Sequence, residues 1–134
     1  MLTRASSLPE LRIDHLRRLT DDTGILQHAT FTVPARRSGY CVDDNARALI
    51  VALDADRLSN SRETAHLVTT YLSYLHSSQT DTGHFDNLMR YDRSIEPSPP
   101  SDDCLGRAIG VTAEHDDAEV AVFRFPGVVG AGGR

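Results

Sequence analysis

The 134-residue sequence contains no tryptophan, only two cysteines and no long apolar run, and each shortage excludes a class of protein. No apolar stretch approaches the ~18 residues of a membrane-spanning helix, so we predict no membrane span. Residues 1–12 lack the apolar core of a secretory signal, which predicts a cytoplasmic protein with reduced thiols at Cys41 and Cys104. None of the six histidines stands at short spacing from these cysteines, so we expect neither a metal site nor a cofactor.

The sequence also lacks a block of basic residues. Its formal net charge is −5, and acidic and basic residues are interspersed along the chain. A protein that binds the phosphate backbone of nucleic acid needs a basic stripe, so nucleic acid is not an expected partner. A Gly-rich phosphate loop and the Gly-x-Ser-x-Gly turn of a hydrolase nucleophile are missing as well.

Helical periodicity is what the sequence has in abundance. Ser7 and Glu10 stand at capping-box spacing before the first apolar face, and Asn60 and Glu63 are predicted to cap the third. The predicted helices cover residues 7–19, 44–58 and 61–77, with a fourth starting near residue 102. The long loops between them lie at 25–41 and 84–101. Loops of this length in compact domains are often functional.

An internal repeat organises these elements. Residues 22–24, Asp-Thr-Gly, recur as residues 81–83, which lie 59 residues later. The run Asp-Asp-Asn-Ala-Arg at 43–47 is echoed by residues 102–107 at nearly the same period. Such a period predicts supersecondary units that bury their apolar faces against each other. We therefore predict an all-α fold of helical hairpins, with the paired aspartates and both long loops at one end.

The repeat stops before the chain does. Residues 1–110 are predicted to hold about two repeat units, whereas residues 111–134 show no helical period and accumulate glycine. We expect this stretch to be the disordered or out-of-frame end of a truncated array. A natural flexible tail is the alternative.

Paired aspartates at the start of predicted helices are the first candidates for chemistry. One carboxylate of each pair is expected to cap its helix, and the other to project into a cleft as a general acid or base. The catalytic candidates are Asp43, Asp44, Asp102 and Asp103. Arg47 and Arg107 follow one helical turn later. Each either pairs with an aspartate of its own helix or faces the same cleft.

The long loops supply groups suited to a polyhydroxylated ligand. Sugars stack their ring faces on aromatic side chains, and their hydroxyls bind amide and charged groups. The predicted substrate-binding residues are His28, Tyr40, Arg47, Asn87, Tyr91, Asp92 and Arg107. The alternative is that these loops are polar only because they are exposed.

Four stretches of the sequence together resemble a known family. They are residues 14–28, 39–49, 83–93 and 102–108. These motifs, spread over about residues 8–109, resemble a bacterial six-hairpin, (α/α)6-toroid glycosidase-like domain that often occurs with glycosyltransferases. The resemblance implies an incomplete (α/α)6 toroid, of which this chain is an N-terminal part.

The function implied by the resemblance is carbohydrate chemistry, by glycan hydrolysis or glycosyl transfer. The expected partners are a saccharide or glycan and a glycosyltransferase domain, and the fragment is expected to be inactive by itself. The alternative is a non-catalytic helical module that binds saccharide or supports a partner glycosyltransferase.

Overall fold

The computed structural model describes residues 10–99, which form a mixed α/β fold. Its α-helices are α1 (Asp14–Leu19), α2 (Val42–Ser59) and α3 (Arg62–Ser78). Its strands are β1 (Ala29–Thr30), β2 (Val33–Pro34), β3 (Tyr40–Cys41), β4 (Leu88–Met89) and β5 (Ile95–Glu96). The fourth predicted helix and the segment 111–134 lie outside the described residues.

Helices α2 and α3 form a hairpin that carries most of the core. Asn60 ends α2 in the left-handed conformation, with φ 46° and ψ 46°. Ser61 then starts α3, because its hydroxyl accepts the Thr64 N–H while the Thr64 hydroxyl accepts the Ser61 N–H. The prediction that Asn60 and Glu63 cap α3 is therefore wrong. Asn60 instead supplies the positive φ that the tight connection requires.

The core lies between the facing sides of α2 and α3. Its fully enclosed members include Leu49 on α2 and Tyr71 and Leu75 on α3. Helix α1 is shorter than the predicted 7–19, and residues 10–13 are not helical. It is fixed to this hairpin at its C-terminal end, where the Thr20 hydroxyl lies 2.6 Å from the Tyr71 hydroxyl.

The first long loop is one irregular β-hairpin. It opens with the bridge between Leu26 and Tyr40, and the Gln27 N–H donates to the carbonyl of Gly39. It continues to the β1–β2 pair, which closes on a two-residue turn after Thr30. A short 3-10 helix, Arg36–Ser38, bulges out of the returning arm.

The second long loop adds two strands to the first. Strand β4 pairs antiparallel with β3, in the register Tyr40–Met89 and Cys41–Leu88, and β5 pairs antiparallel with β4. The resulting three-stranded sheet holds both loops at the same end of the α2–α3 hairpin. Both loops thus lie at one end in residues 10–99, whereas the second aspartate pair predicted at this end lies outside the described residues.

The all-α prediction is wrong. The long loops hold two antiparallel sheets, so the described residues form a mixed α/β structure and not the helical hairpins of an (α/α)6 toroid. The physical reason is that these loops are partly buried, and their backbone N–H and C=O groups need partners that water does not supply. Each strand has only two residues, which is too short for the alternating pattern that reveals a strand in sequence.

The sequence repeat has a structural counterpart. Helices α1 and α3 each end in a turn closed by an isolated bridge, between Thr20 and Ile25 in the first unit and between Gln79 and Phe85 in the second. Each turn leads into a two-stranded hairpin, β1–β2 or β4–β5. The residues of the two bridges and the first strands of the two hairpins lie 59 or 60 residues apart, close to the sequence period, whereas β2 and β5 lie 62 residues apart.

Candidate functional site

A tyrosine pair joins the two loops at the end of the helical hairpin. Tyr40 of β3 is fully enclosed, and its ring stacks on that of Tyr91, with centroids 6.4 Å apart and planes at 18°. Tyr91 belongs to the β4–β5 turn and keeps 38% of its surface exposed. Pairing of β3 with β4 sets this arrangement, because Tyr40 and Met89 are direct partners.

The turn after α1 supports the buried tyrosine. The Tyr40 hydroxyl donates to Oδ2 of Asp21 at 2.5 Å. The other oxygen of Asp21 accepts the N–H groups of Thr23 at 2.8 Å and Gly24 at 3.2 Å. Burial and the neighbouring Asp21 carboxylate raise the pKa of Tyr40 well above its usual range. Tyr40 therefore remains a hydrogen-bond donor at all physiological pH values and holds the turn in place.

Arg93 connects the second loop to the same turn. Its Nε donates to the Thr23 hydroxyl at 2.8 Å, and its Nη2 lies 3.0 Å from Asp22 Oδ1. Its guanidinium carbon lies 5.2 Å from the centroid of the Tyr91 ring and 5.8 Å from that of Tyr40. These are cation–π distances. We call this set, Asp21, Asp22, Thr23, Tyr40, Tyr91 and Arg93, the tyrosine–arginine cluster.

A groove adjoins this cluster on the side of α1 and α3. Its volume is about 710 Å³, which falls in the range of small-molecule sites. It is lined by Arg17, Thr20, Asp21, Asp22, Arg62, Glu63, His66 and Leu67. Because Arg93 bonds to Asp22, one end of the groove meets the tyrosine–arginine cluster. Acidic, basic and uncharged polar side chains surround it.

Asn45 fixes the start of α2 beneath the cluster. Its side chain is fully buried, its Oδ1 accepts the Ile25 N–H at 3.0 Å, and its Nδ2 donates to the Cys41 carbonyl at 2.9 Å. An added Cβ on Gly24 would lie 2.4 Å from this Oδ1. The absence of a side chain at Gly24 therefore lets the turn after α1 approach α2 closely.

Asp43 and Asp44 lie in the first turn of α2, and neither caps it. The cap is the thiol of Cys41, which accepts the Asp44 N–H at 3.4 Å. The prediction that one of the two aspartates is the cap is wrong for this pair, because β3 runs directly into the helix and leaves Cys41 at the cap position. Burial raises the pKa of Cys41 to about 12, so this thiol is neutral at physiological pH.

The two aspartates differ in their surroundings. Asp43 Oδ2 lies 3.3 Å from Arg47 Nη2, which confirms the prediction of an ion pair within the helix. The Asp44 carboxylate is half-buried and contacts the Cys41 thiol. The start of α2 also meets the second loop, because the Val42 N–H donates to the Asn87 carbonyl at 3.0 Å.

The remaining predicted site residues are scattered. His28 is exposed on the first hairpin, away from the β3–β4 pairing. Asp92 accepts both the N–H and the hydroxyl of Ser94, and these bonds lower the pKa of its carboxyl group. Asp102, Asp103 and Arg107 lie outside the described residues. Tyr40 has no exposed surface, so it can act on a ligand only through Tyr91.

The sequence prediction missed several members of the cluster. They are Asp21, Asp22, Thr23 and Arg93, and the prediction also missed Asn45, which lies beneath the cluster. The signal for the aspartates and Thr23 is the Asp-Thr-Gly turn, which the sequence analysis uses only as a landmark of the repeat. Arg93 was not among the predicted site residues, because its partners Asp22 and Thr23 are about seventy residues away in sequence.

No protein-family model matches the chain, and no curated protein matches it significantly. Among residues 10–99, no helix has the length and apolar character needed to cross a membrane. In the same residues, no three histidine, cysteine or acidic side chains lie close enough together to hold a metal ion.

Proposed function

We propose that this chain is a carbohydrate-active protein that binds a saccharide at the tyrosine–arginine cluster. The observation that supports the proposal is the partly exposed Tyr91 ring, stacked on a buried tyrosine and flanked by a guanidinium. Aromatic rings accept the apolar faces of sugars, and charged or hydroxyl groups at their edges accept and donate hydrogen bonds to sugar hydroxyls. The adjoining groove offers further acidic, basic and uncharged polar groups.

Preorganisation strengthens this proposal. Immobilising a flexible side chain on binding costs roughly 0.5–1.5 kcal/mol. Tyr91 is already stacked on Tyr40, and Arg93 is already bound to Asp22 and Thr23. A ligand that uses these groups therefore does not have to order them. Exposed loop residues that carried no function would have no need of such support.

Tyr91→Ala is expected to weaken saccharide binding by at least about tenfold. The substitution removes the stacking surface, and an aromatic contact contributes roughly 0.5–1.5 kcal/mol beyond the area that it buries. Titration of the chain with the best ligand from a glycan panel, followed by calorimetry, measures the loss. Tyr91→Phe keeps the ring and should retain most of the affinity. Leu58→Ala is the remote control, since Leu58 is 78% exposed at the far end of α2.

Equal affinities for Tyr91→Ala and the unsubstituted chain would contradict a binding role for the ring. Equal losses for Tyr91→Ala and Tyr91→Phe would assign the effect to the hydroxyl instead of to stacking. Thermal melting of all three variants shows whether any loss comes from unfolding.

A second candidate function is catalysis at the same end, by glycan hydrolysis or glycosyl transfer. The observation that favours it is the difference between the two aspartates of α2. Arg47 holds Asp43 in an ion pair, whereas Asp44, which is half-buried like Asp43, has a thiol as its neighbour. Aspartate carboxyl groups are among the side chains that serve as general acids and bases. The non-catalytic alternative leaves Asp44 with no chemical role.

Asp44→Asn is expected to lower turnover by about 10²–10⁴-fold if Asp44 is the acid or base, because this is the usual contribution of proton transfer. Saccharide affinity should change little. Product formation from a glycan panel, measured by chromatography, reports the rate. Asp43→Asn is the matched control and should retain turnover. Turnover that survives Asp44→Asn would exclude Asp44 as acid or base, and binding without any turnover in the unsubstituted chain would favour the non-catalytic module.

A further inference from the structure

The first hairpin is a basic segment in an acidic chain. The whole sequence has a net charge of −5, yet no aspartate or glutamate occurs from Thr23 to Val42. The same stretch contains His28, Arg36 and Arg37. Positive charge is therefore concentrated on one element that protrudes from the α2–α3 hairpin.

Hydrogen bonds of the hairpin bring these three residues together. The Ala35 N–H donates to the His28 carbonyl at 2.9 Å, and the His28 N–H donates to the Ser38 hydroxyl at 3.1 Å. The bulge that carries Arg36 and Arg37 therefore lies opposite His28. All three side chains are exposed. Neither arginine forms an ion pair or a side-chain hydrogen bond with another of residues 10–99.

Phe31 at the tip of the hairpin is a second unusual feature. It is 92% exposed and has φ 55° at the first position of the two-residue turn. Glycine or asparagine is usual where such a turn needs positive φ, and a bulky side chain there is strained. Strained residues that persist in a structure concentrate at functional sites. Phe31 lies three residue steps after His28 along the strand, or roughly 10 Å.

We infer that this hairpin, residues 27–39, recognises an acidic saccharide, with Arg36 and Arg37 binding its anionic group and Phe31 packing on a neighbouring sugar ring. The inference rests on the proposed function and narrows its ligand class to sugars that carry a carboxylate, sulfate or phosphate. Guanidinium groups bind all three anions through paired N–H donors.

Continuity with the tyrosine–arginine cluster favours a saccharide over an acidic protein segment. The returning arm of the hairpin runs from the bulge through Gly39 directly into Tyr40. Tyr40 supports the Tyr91 ring. Arg36 and Arg37 precede Tyr40 by four and three residues, so a saccharide of several sugar residues is long enough to reach from Tyr91 to the arginines.

Arg36→Gln combined with Arg37→Gln is expected to weaken binding of acidic glycans by at least about tenfold. The probes are a panel of neutral, carboxylated, sulfated and phosphorylated oligosaccharides, including oligogalacturonate and its methyl ester as a matched pair. Affinity of the unsubstituted full chain for the acidic probes should exceed that for the neutral ones and should fall as salt rises. Arg18→Gln combined with Arg57→Gln is the control, because it changes net charge equally at exposed positions outside the groove and the hairpin.

Phe31→Gly separates a binding role from a structural one. Glycine accepts positive φ without strain, so this variant should melt at a higher temperature than the unsubstituted chain. It should also bind the acidic probes several-fold more weakly, because the ring is gone. A loss of binding together with a gain in stability cannot come from damage to the fold.

Each outcome distinguishes the inference from the proposed function. Acidic and neutral probes that bind equally well would overturn the inference and leave the saccharide site in place. Binding to none of the glycans would overturn both. Binding to poly-glutamate as tight as binding to oligogalacturonate, and equally sensitive to the two arginine substitutions, would overturn the saccharide in favour of an acidic protein partner.

Discussion

Replacement of Gly39 by alanine is expected to destabilise the protein by roughly 3–5 kcal/mol, a large part of the about 5–15 kcal/mol available to a small domain. Gly39 has φ 66° and ψ −152°, a region that is essentially restricted to glycine. A Cβ at this position would lie 2.4 Å from the carbonyl oxygen of Met89. Since Met89 belongs to β4, the clash falls on the backbone that joins the two loops.

Urea denaturation measures the loss, and hydrogen exchange locates it. Protection should fall first at the amides of β3 and β4. Asn60→Ala is the control: Asn60 also has positive φ but is exposed at a turn, so its replacement should cost only about 1–2 kcal/mol. If both substitutions cost the same, the close approach of Gly39 to β4 does not contribute to stability.

The sequence predicted α2 and α3 well because their signal is local. Leu49 and Leu53 of α2 recur at helical spacing, and the observed Val42–Ser59 extends the predicted 44–58 by only a few residues. Helix α3 was predicted at 61–77 and lies at Arg62–Ser78. Side chains three and four residues apart share one helical face, so the pattern of apolar residues alone reveals these helices.

The strands could not be predicted in the same way. The pairing of Cys41 with Leu88 joins residues that are far apart in sequence, and neither strand exceeds two residues. The sequence gives no period for so short an element. What the sequence did contain was the 59-residue repeat, whose copies fold into equivalent turns and hairpins. The repeat predicted which segments are equivalent, but not that they contain strands.

The candidate site could be predicted only in part, again because a local sequence pattern does not show long-range contacts. Tyr40 and Tyr91 were selected as aromatic residues of the two loops, and β3–β4 pairing brings them together. Asn45 and Arg93 were not among the predicted site residues, because their contacts are long-range. The Asp43–Arg47 pair was predictable, because both residues lie on one helix at a spacing of four.

Asn45→Asp is expected to destabilise the protein by roughly 3–5 kcal/mol at pH 7, since it places a charge at a fully buried position. The two side chains have nearly the same shape. The amide of Asn45 accepts the Ile25 N–H and donates to the Cys41 carbonyl. A carboxylate can replace the acceptor but not the donor, and its second oxygen would face the carbonyl oxygen of Cys41.

Acid should restore part of the lost stability. A protonated carboxyl group can donate to the Cys41 carbonyl and still accept the Ile25 N–H, so the folded variant favours protonation. Burial and the facing carbonyl therefore raise the folded-state pKa of the new carboxyl group above the unfolded value of about 3.9. The penalty is then absent below the unfolded pKa and grows as pH rises above it until the group is ionised in both states.

Urea denaturation between pH 4 and pH 7 should show the free energies of unfolding of the variant and the unsubstituted chain converging as pH falls. Asn60→Asp is the matched control at an exposed position and should show neither the penalty nor the convergence. The loss in free energy of unfolding caused by Asn45→Asp could instead be the same at every pH. The two hydrogen bonds of Asn45 would then not link the turn after α1 to α2.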